Sequence, residues 1–205
     1  MVGRSPKTSA QAGPGGPTAG QRGQETRQRL LAAAAELVQE VGWGSVSTRA
    51  IAQRAGLPPG LVHYHFPSVA DLLADATLPV LTGAVDEMAA MLDAAEDVPA
   101  GIDGLLGMLA GYAADEPASR LAAEAFLAAP RMPRLRAELA ALLARGRELL
   151  ADWLRRHGYG SRAEPAAIVL AAAFDGLVLH LAVDEQLDLA AAAAGLRALA
   201  TGERS

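Results

Sequence analysis

The residues best placed to do chemistry form no catalytic pattern. In Ala52-Gln53-Arg54-Ala55-Gly56-Leu57-Pro58-Pro59-Gly60-Leu61-Val62, a small residue is followed by a glycine four positions on and an aliphatic residue ten positions on. Ala52 lets two helices approach closely, Gly56 can adopt the left-handed conformation of a tight turn, and Val62 plugs a second helix against the first. The spacing predicts a helix-turn-helix, whose second helix can lie in a major groove. Many corners between two helices share that spacing, so the flanking residues must support it.

Templates for metal binding and catalysis fail. His63 and His65 are two positions apart, which on a helix turns their side chains about 200° from each other and denies them a shared ion. His157 and His180 lie far off in the chain, cysteine is absent, and no HExxH, Glu-x-x-His pair, Walker lysine or strand-to-helix glycine-rich loop occurs. No metal or cofactor is expected, and a helical enzyme has only the acidic helical body in its favour.

Met88 and Met91 stand at i, i+3, and Met108 and Tyr112 at i, i+4. With Phe126, Trp153 and Phe174 they are candidates to line a small-molecule pocket, because thioethers and aromatic rings fill irregular gaps and adapt to ligands; the same stripes would also pack an ordinary core. Arg120 and Glu124, four apart, suit an exposed ion pair. Asp175 and His180 suit a buried hydrogen bond across a subunit interface, with a ligand contact as the other option.

Helices must carry these residues, and the composition provides them. The 205-residue chain is 51% hydrophobic with only 2 Trp, 3 Tyr and 3 Phe, so Ala and Leu fill most apolar places and helix is favoured over strand. Without period-two segments or hairpin chemistry, the fold class expected is all-α. Leu30, Ala34, Leu37 and Val41 mark one helical face from Thr26 to a stop at Gly42. Ser47 caps a short helix ending at Gly56, and Pro58 and Pro59 open a third that reaches about His65. A fourth starts at Pro67-Ser68 and should kink at Pro79. Pro99, Pro117, Pro130, Pro133 and Pro165 divide the remainder into helices near 99–114, 117–129, 133–157 and 163–183, and an Ala/Leu helix covers about 188–200.

Charge is split along the chain. Residues 1–72 hold 7 Lys+Arg against 4 Asp+Glu, while residues 73–205 hold 11 against 19. A basic front on an acidic body suits an anionic partner for the front. Residues 1–22 are rich in Gly, Pro, Ser and Thr, carry Arg4, Lys7 and Arg22, and lack the apolar stretch of a secretory signal, so a disordered arm is expected. The run 166–183 approaches spanning length but holds Asp175, Gly176 and His180, which fits a buried helix and no membrane.

The flanks of the turn complete a pattern. A first helix LLAAAAELVQEVGW, then VSTRAIAQRAGL, then PPGLVHYHFPSVADLL stand in the order and spacing of the TetR family of transcriptional regulators, which residues 24–75 resemble. The run AAAFDGLVLHLAVDEQLD and the Ala/Leu helix after it resemble the dimerising end of such regulators. The resemblance implies a cytoplasmic homodimer whose paired heads enter successive major grooves of a near-palindromic double-stranded DNA operator, and a second domain whose small-molecule effector releases it. It divides the chain into an arm (1–22), a DNA-binding domain (23–68) and an effector and dimerisation domain (69–201).

Carried over by position, Thr48 and Arg49 would meet phosphate. Pro59 and Gly60 would bring backbone close to DNA, and Leu61, His63, Tyr64 and His65 would supply base or phosphate contacts. Phe66, Trp43 and Val46 are expected to pack the small domain. Three departures stand out: His63 where the family usually has Tyr, Val69 where it usually has Lys, and Pro58 where it prefers a capping Ser or Thr. They imply weaker, more salt-sensitive binding, or an interaction module that no longer binds DNA.

Overall fold

The computed structural model describes residues 18–111, 117–181, 183–184 and 186–201. Nine α-helices occur among them, with no strand: α1 (Ala19–Val41), α2 (Thr48–Ala55), α3 (Gly60–His65), α4 (Val69–Ala94), α5 (Val98–Gly111), α6 (Pro117–Ala128), α7 (Pro133–Arg156), α8 (Ala163–Leu181) and α9 (Leu189–Thr201). Three 3₁₀ turns join them, at Trp43–Ser45, Ala129–Arg131 and Gly160–Arg162.

Helix α1 begins well before Thr26, so the last residues of the expected arm are helical, while residues 1–17 with Arg4 and Lys7 lie outside the described residues. The cause is a capping box. Thr18 Oγ1 accepts from the Gln21 N–H at 3.3 Å, and Gln21 Oε1 accepts from the Thr18 N–H at 2.7 Å. Two otherwise orphaned amides are satisfied, which offsets the poor helix propensity of Gly20 and Gly23. Helix α4 starts on a similar device, with Ser68 Oγ accepting from the Asp71 N–H at 3.1 Å, and it continues through Pro79.

Buried residues fall into two clusters. One joins Leu30, Ala34, Leu37 and Val38 of α1 to Ile51 and Ala52 of α2, Val62 of α3 and Phe66, and continues into Leu72 and Leu73 of α4, Leu121 and Ala125 of α6, and Leu135 and Leu139 of α7. Its core is therefore shared between the first three helices and the body that follows. The second cluster holds Leu92, α5, the C-terminal half of α7, and the inner sides of α8 and α9. Trimming one of these fully buried leucines to alanine costs about 2–5 kcal/mol.

The helix expected to be buried around 166–183 is not buried within one chain. Gly160–Leu181 is long and apolar enough to cross a membrane by length and composition, and only 17% of that window is buried. Pro165, Ile168, Val169, Ala172 and Leu179 are exposed along one side of it. The exposed residues recur at i, i+3, i+4 and i+7, which leaves an apolar stripe on the outside of α8.

Candidate nucleic-acid interface and ligand cavity

Helix α2 is capped at its start by Ser47 Oγ, which accepts from the Ala50 N–H at 3.2 Å. It ends at Gly56, whose φ of 63° and ψ of 41° are left-handed. The Leu57 N–H bonds to the Ala52 carbonyl at 2.9 Å and the Gly56 N–H to Gln53 at 3.1 Å, a double closure that reverses the chain into α3. Arg29 of α1 donates to the Ala55 carbonyl at 2.5 Å and to Gly56 at 3.3 Å, clamping the turn from below. Val62 and Phe66 are buried, and the Arg27 guanidinium lies 4.9 Å over the Phe66 ring. Trp43 is buried and Val46 packs against the same core, as expected of both.

This packing decides what α3 presents outward. Tyr64 is 81% exposed, with its ring edge-on to His65 at 5.1 Å. Arg49, Pro59, Gly60 and His63 are exposed too, while Thr48, Leu61 and His65 are half-buried. A Cβ on Gly60 would meet nothing within 4 Å, so this end of α3 is open. On α2 the two arginines differ. Arg54 is held by Glu40 at 2.6 Å and Glu36 at 3.1 Å, whereas Arg49 has no carboxylate partner among the described residues. The hydrogen bonds that Arg54 donates to those glutamates raise its pKa, and its charge is balanced on the protein; Arg49 offers a positive charge that no described carboxylate balances. Val69, at the start of α4, is half-buried against the first core.

Two contacts tie this head to the body. Glu124 of α6 accepts from the backbone N–H of Trp43 at 2.6 Å, directly after Gly42, whose φ is 75°. Glu124 thus makes a charge-assisted bond to a main-chain amide, a partner that its spacing from Arg120 does not reveal. On the other side, Arg134 of α7 reaches Asp71 at 3.1 Å and Glu138 at 2.8 Å and also pairs with Asp75, which Arg27 of α1 contacts at 2.5 Å. Asp71 sits below the ordinary carboxylate range, first because the Ser68 hydroxyl donates to it and then because of Arg134.

Between α4, α5, α6, α7 and α8 lies a cavity of about 160 Å³ with an almost wholly apolar wall. Met88, Met108, Phe126 and Phe174 line it. Met91 and Trp153 do not. Met91 fills the space over Gly104, where a Cβ would come within 2.2 Å of its sulfur, and the Trp153 ring packs against Gly101, buried in the second core. Both glycines remove a side chain that would have pushed these residues out, so the two pack as core. Tyr112 lies outside the described residues. Asp175 faces the cavity while His180 is exposed, so the two do not share one environment.

Residues 96–202 match the family described as "Tetracyclin repressor-like, C-terminal domain", and residues 30–76 match "Bacterial regulatory proteins, tetR family". The chain belongs to the TetR family of transcriptional regulators. Regulators of the TetR family bind DNA and small-molecule effectors, and the family is not one of enzymes. A protein of Streptomyces coelicolor A3(2) assigned as a transcriptional regulator is 28% identical, with a TM-score of 0.70 over 87% of this chain and 99% of that one. A transcriptional regulator from Saccharomonospora viridis solved in complex with choline shares the fold at 22% identity and a TM-score of 0.71, over 88% of this chain and 100% of that one. FadR from Bacillus subtilis, solved in complex with stearoyl-CoA, shares it at 18% identity and a TM-score of 0.67, over 86% and 99%. No curated protein matches the sequence.

For this TetR-family chain, sequence reasoning overlooked Arg147 and the main-chain partner of Glu124. Arg147 was within reach, because Leu139, Leu143, Gly146, Arg147 and Leu150 follow one helical face and all line the cavity. Glu124 was not, since its partner is a backbone amide 81 residues away.

Proposed function

We propose that this TetR-family regulator is a repressor that binds a near-palindromic operator as a homodimer in the cytoplasm and is released when a small molecule fills the α4–α8 cavity. On this reading residues 23–68 form the reading head and residues 69–201 the effector and dimerisation domain. The observation that carries it is the pairing of a buried Val62 with an exposed Tyr64 on α3: the helix is fixed to α2 by one side and offers the other to a groove. Thr48 and Arg49 at the start of α2 would hold phosphate, and Pro59, Gly60, Leu61, His63, Tyr64 and His65 would meet backbone and bases.

Dimerisation would use the outer side of α8 with α9. Ile168 and Val169 are 53% and 60% exposed, and Ala190, Ala191, Ala194 and Gly195 keep one side of α9 small enough for close backbone approach. The choline and stearoyl-CoA complexes of the two fold relatives support a small-molecule effector. Coupling would pass through α6, which gives Ala122, Ala123 and Phe126 to the cavity wall and Glu124 to the Trp43 amide. A ligand that prefers the conformation with mis-spaced heads lowers operator affinity by population shift.

Enrichment of duplexes from a random-sequence pool by the full chain tests the reading. An inverted repeat with half-sites about one helical turn apart is expected. A single half-site would overturn the dimer. No enriched sequence would favour the interaction module, for which Val69 at the start of α4 speaks.

A further inference from the structure

We propose that the effector is a compact organic cation, an aromatic or alkyl amine whose apolar part fills the cavity and whose ammonium group meets the Asp175 carboxylate. This rests on reading the cavity as the effector site.

Among the described lining residues only Arg147 of α7 and Asp175 of α8 are charged; α4, α5 and α6 contribute none. No hydrogen bond or ion pair joins Asp175 to a described residue. A carboxylate held in an apolar wall without a partner is costly, and burial raises the Asp175 pKa by more than the pull of Arg147 lowers it. A bound cation supplies the missing partner.

The surroundings select a cation over an anion. Arg147 also lines a second hollow between α7 and α8, together with Glu148, Asp152, Arg155 and Glu164. Asp152 is paired with Arg155, whereas Glu148 and Glu164 of that hollow have no ion-pair partner among the described residues. With Asp175, the carboxylates without an ion pair in the two hollows that Arg147 lines outnumber its single charge, a local field that disfavours an anion and favours a cation. The volume of about 160 Å³ suits a single ring with a short tail, close to the size of apolar cavities that accept benzene. The Phe126 and Phe174 rings in the same wall are further suited to a cation.

The test titrates the full chain calorimetrically with three probes of one shape: 2-phenylethylamine, 2-phenylethanol and phenylacetate. At neutral pH the amine is expected to bind at least about tenfold more tightly than the other two, as one charge-assisted contact implies. Asp175→Asn, which removes a half-buried charge at constant shape, is expected to erase that preference and leave the alcohol unchanged, with the melting curve showing a folded chain. Amine affinity should also fall as pH drops through the raised Asp175 range, because the neutral acid no longer attracts the ammonium. An alcohol or acid that binds as well as the amine, an amine indifferent to Asp175→Asn, or no binding by any probe would overturn the proposal. DNA affinity, measured alongside, separates the two readings. Asp175-dependent amine binding that leaves DNA affinity unchanged supports the ligand class and rejects the effector site; equal binding of all three probes with DNA release does the reverse.

Discussion

Tyr64 offers its phenol to solvent beside a residue, Val62, that the core has swallowed, and nothing in the fold needs that phenol. Tyr64→Ala is therefore expected to lower operator affinity by roughly 10- to 100-fold, about 1–3 kcal/mol, without changing the melting temperature or the oligomeric state. Gly60→Glu finds open space in the free chain and should fold, but it brings a carboxylate against DNA phosphate and should abolish binding. Anisotropy and light scattering on both variants check this; loss of the dimer as well would mean that α3 is structural. Asp71 makes a different prediction. Its folded pKa is lowered, so its contribution is complete above the ordinary Asp value near 4 and is lost as pH falls through the lowered value. The stability deficit of Arg134→Gln, no more than about 1 kcal/mol for side chains this solvated, should be present at neutral pH and shrink in melts below about pH 4. A deficit constant with pH would contradict the assignment.

Helix positions were legible wherever a cap, a proline or a glycine acts locally. Ser47, Gly56, Ser68, Pro117 and Pro133 set boundaries that the structure keeps, and Thr18 with Gln21 shows the same local logic at a place where Gly-rich neighbours hid it. Which side of a stripe faces a cavity was not legible, because that depends on the helix opposite. Met88 and Met91 have like chemistry, yet Met91 meets Gly104 and becomes core while Met88 meets the cavity. The packing of α5 on α7 exposes this to test: a Cβ on Gly101 would lie 2.3 Å from the Trp153 ring. Gly101→Ala should cost about 1–3 kcal/mol in chemical denaturation, since a buried indole has nowhere to move; an unchanged midpoint would show that α5 can yield. On the outside of α8, Val169→Lys should leave the circular dichroism intact and give a monomer by light scattering. A dimer that survives it would move the interface elsewhere.

Taken whole, the chain couples a head and a body through one continuous core and two polar ties, Glu124 to Trp43 and Arg134 to Asp71 and Asp75. Local patterns in the sequence sufficed for the all-α class and the helix-turn-helix, because both rest on short-range spacing. The polar ties, and the shared cavity wall of Arg147 and Asp175, span 28 to 81 residues, and one sequence carries no record of such meetings. All of this turns on sequence-specific DNA binding by the exposed side of α3. It is tested most directly by an anisotropy titration of the full chain against a pool-enriched duplex and a scrambled duplex of equal length, at two salt concentrations. Tight binding to the enriched duplex alone is expected, with two chains per duplex and an affinity that falls linearly with salt on logarithmic scales. Equal binding to both duplexes, or one chain per duplex, would contradict it.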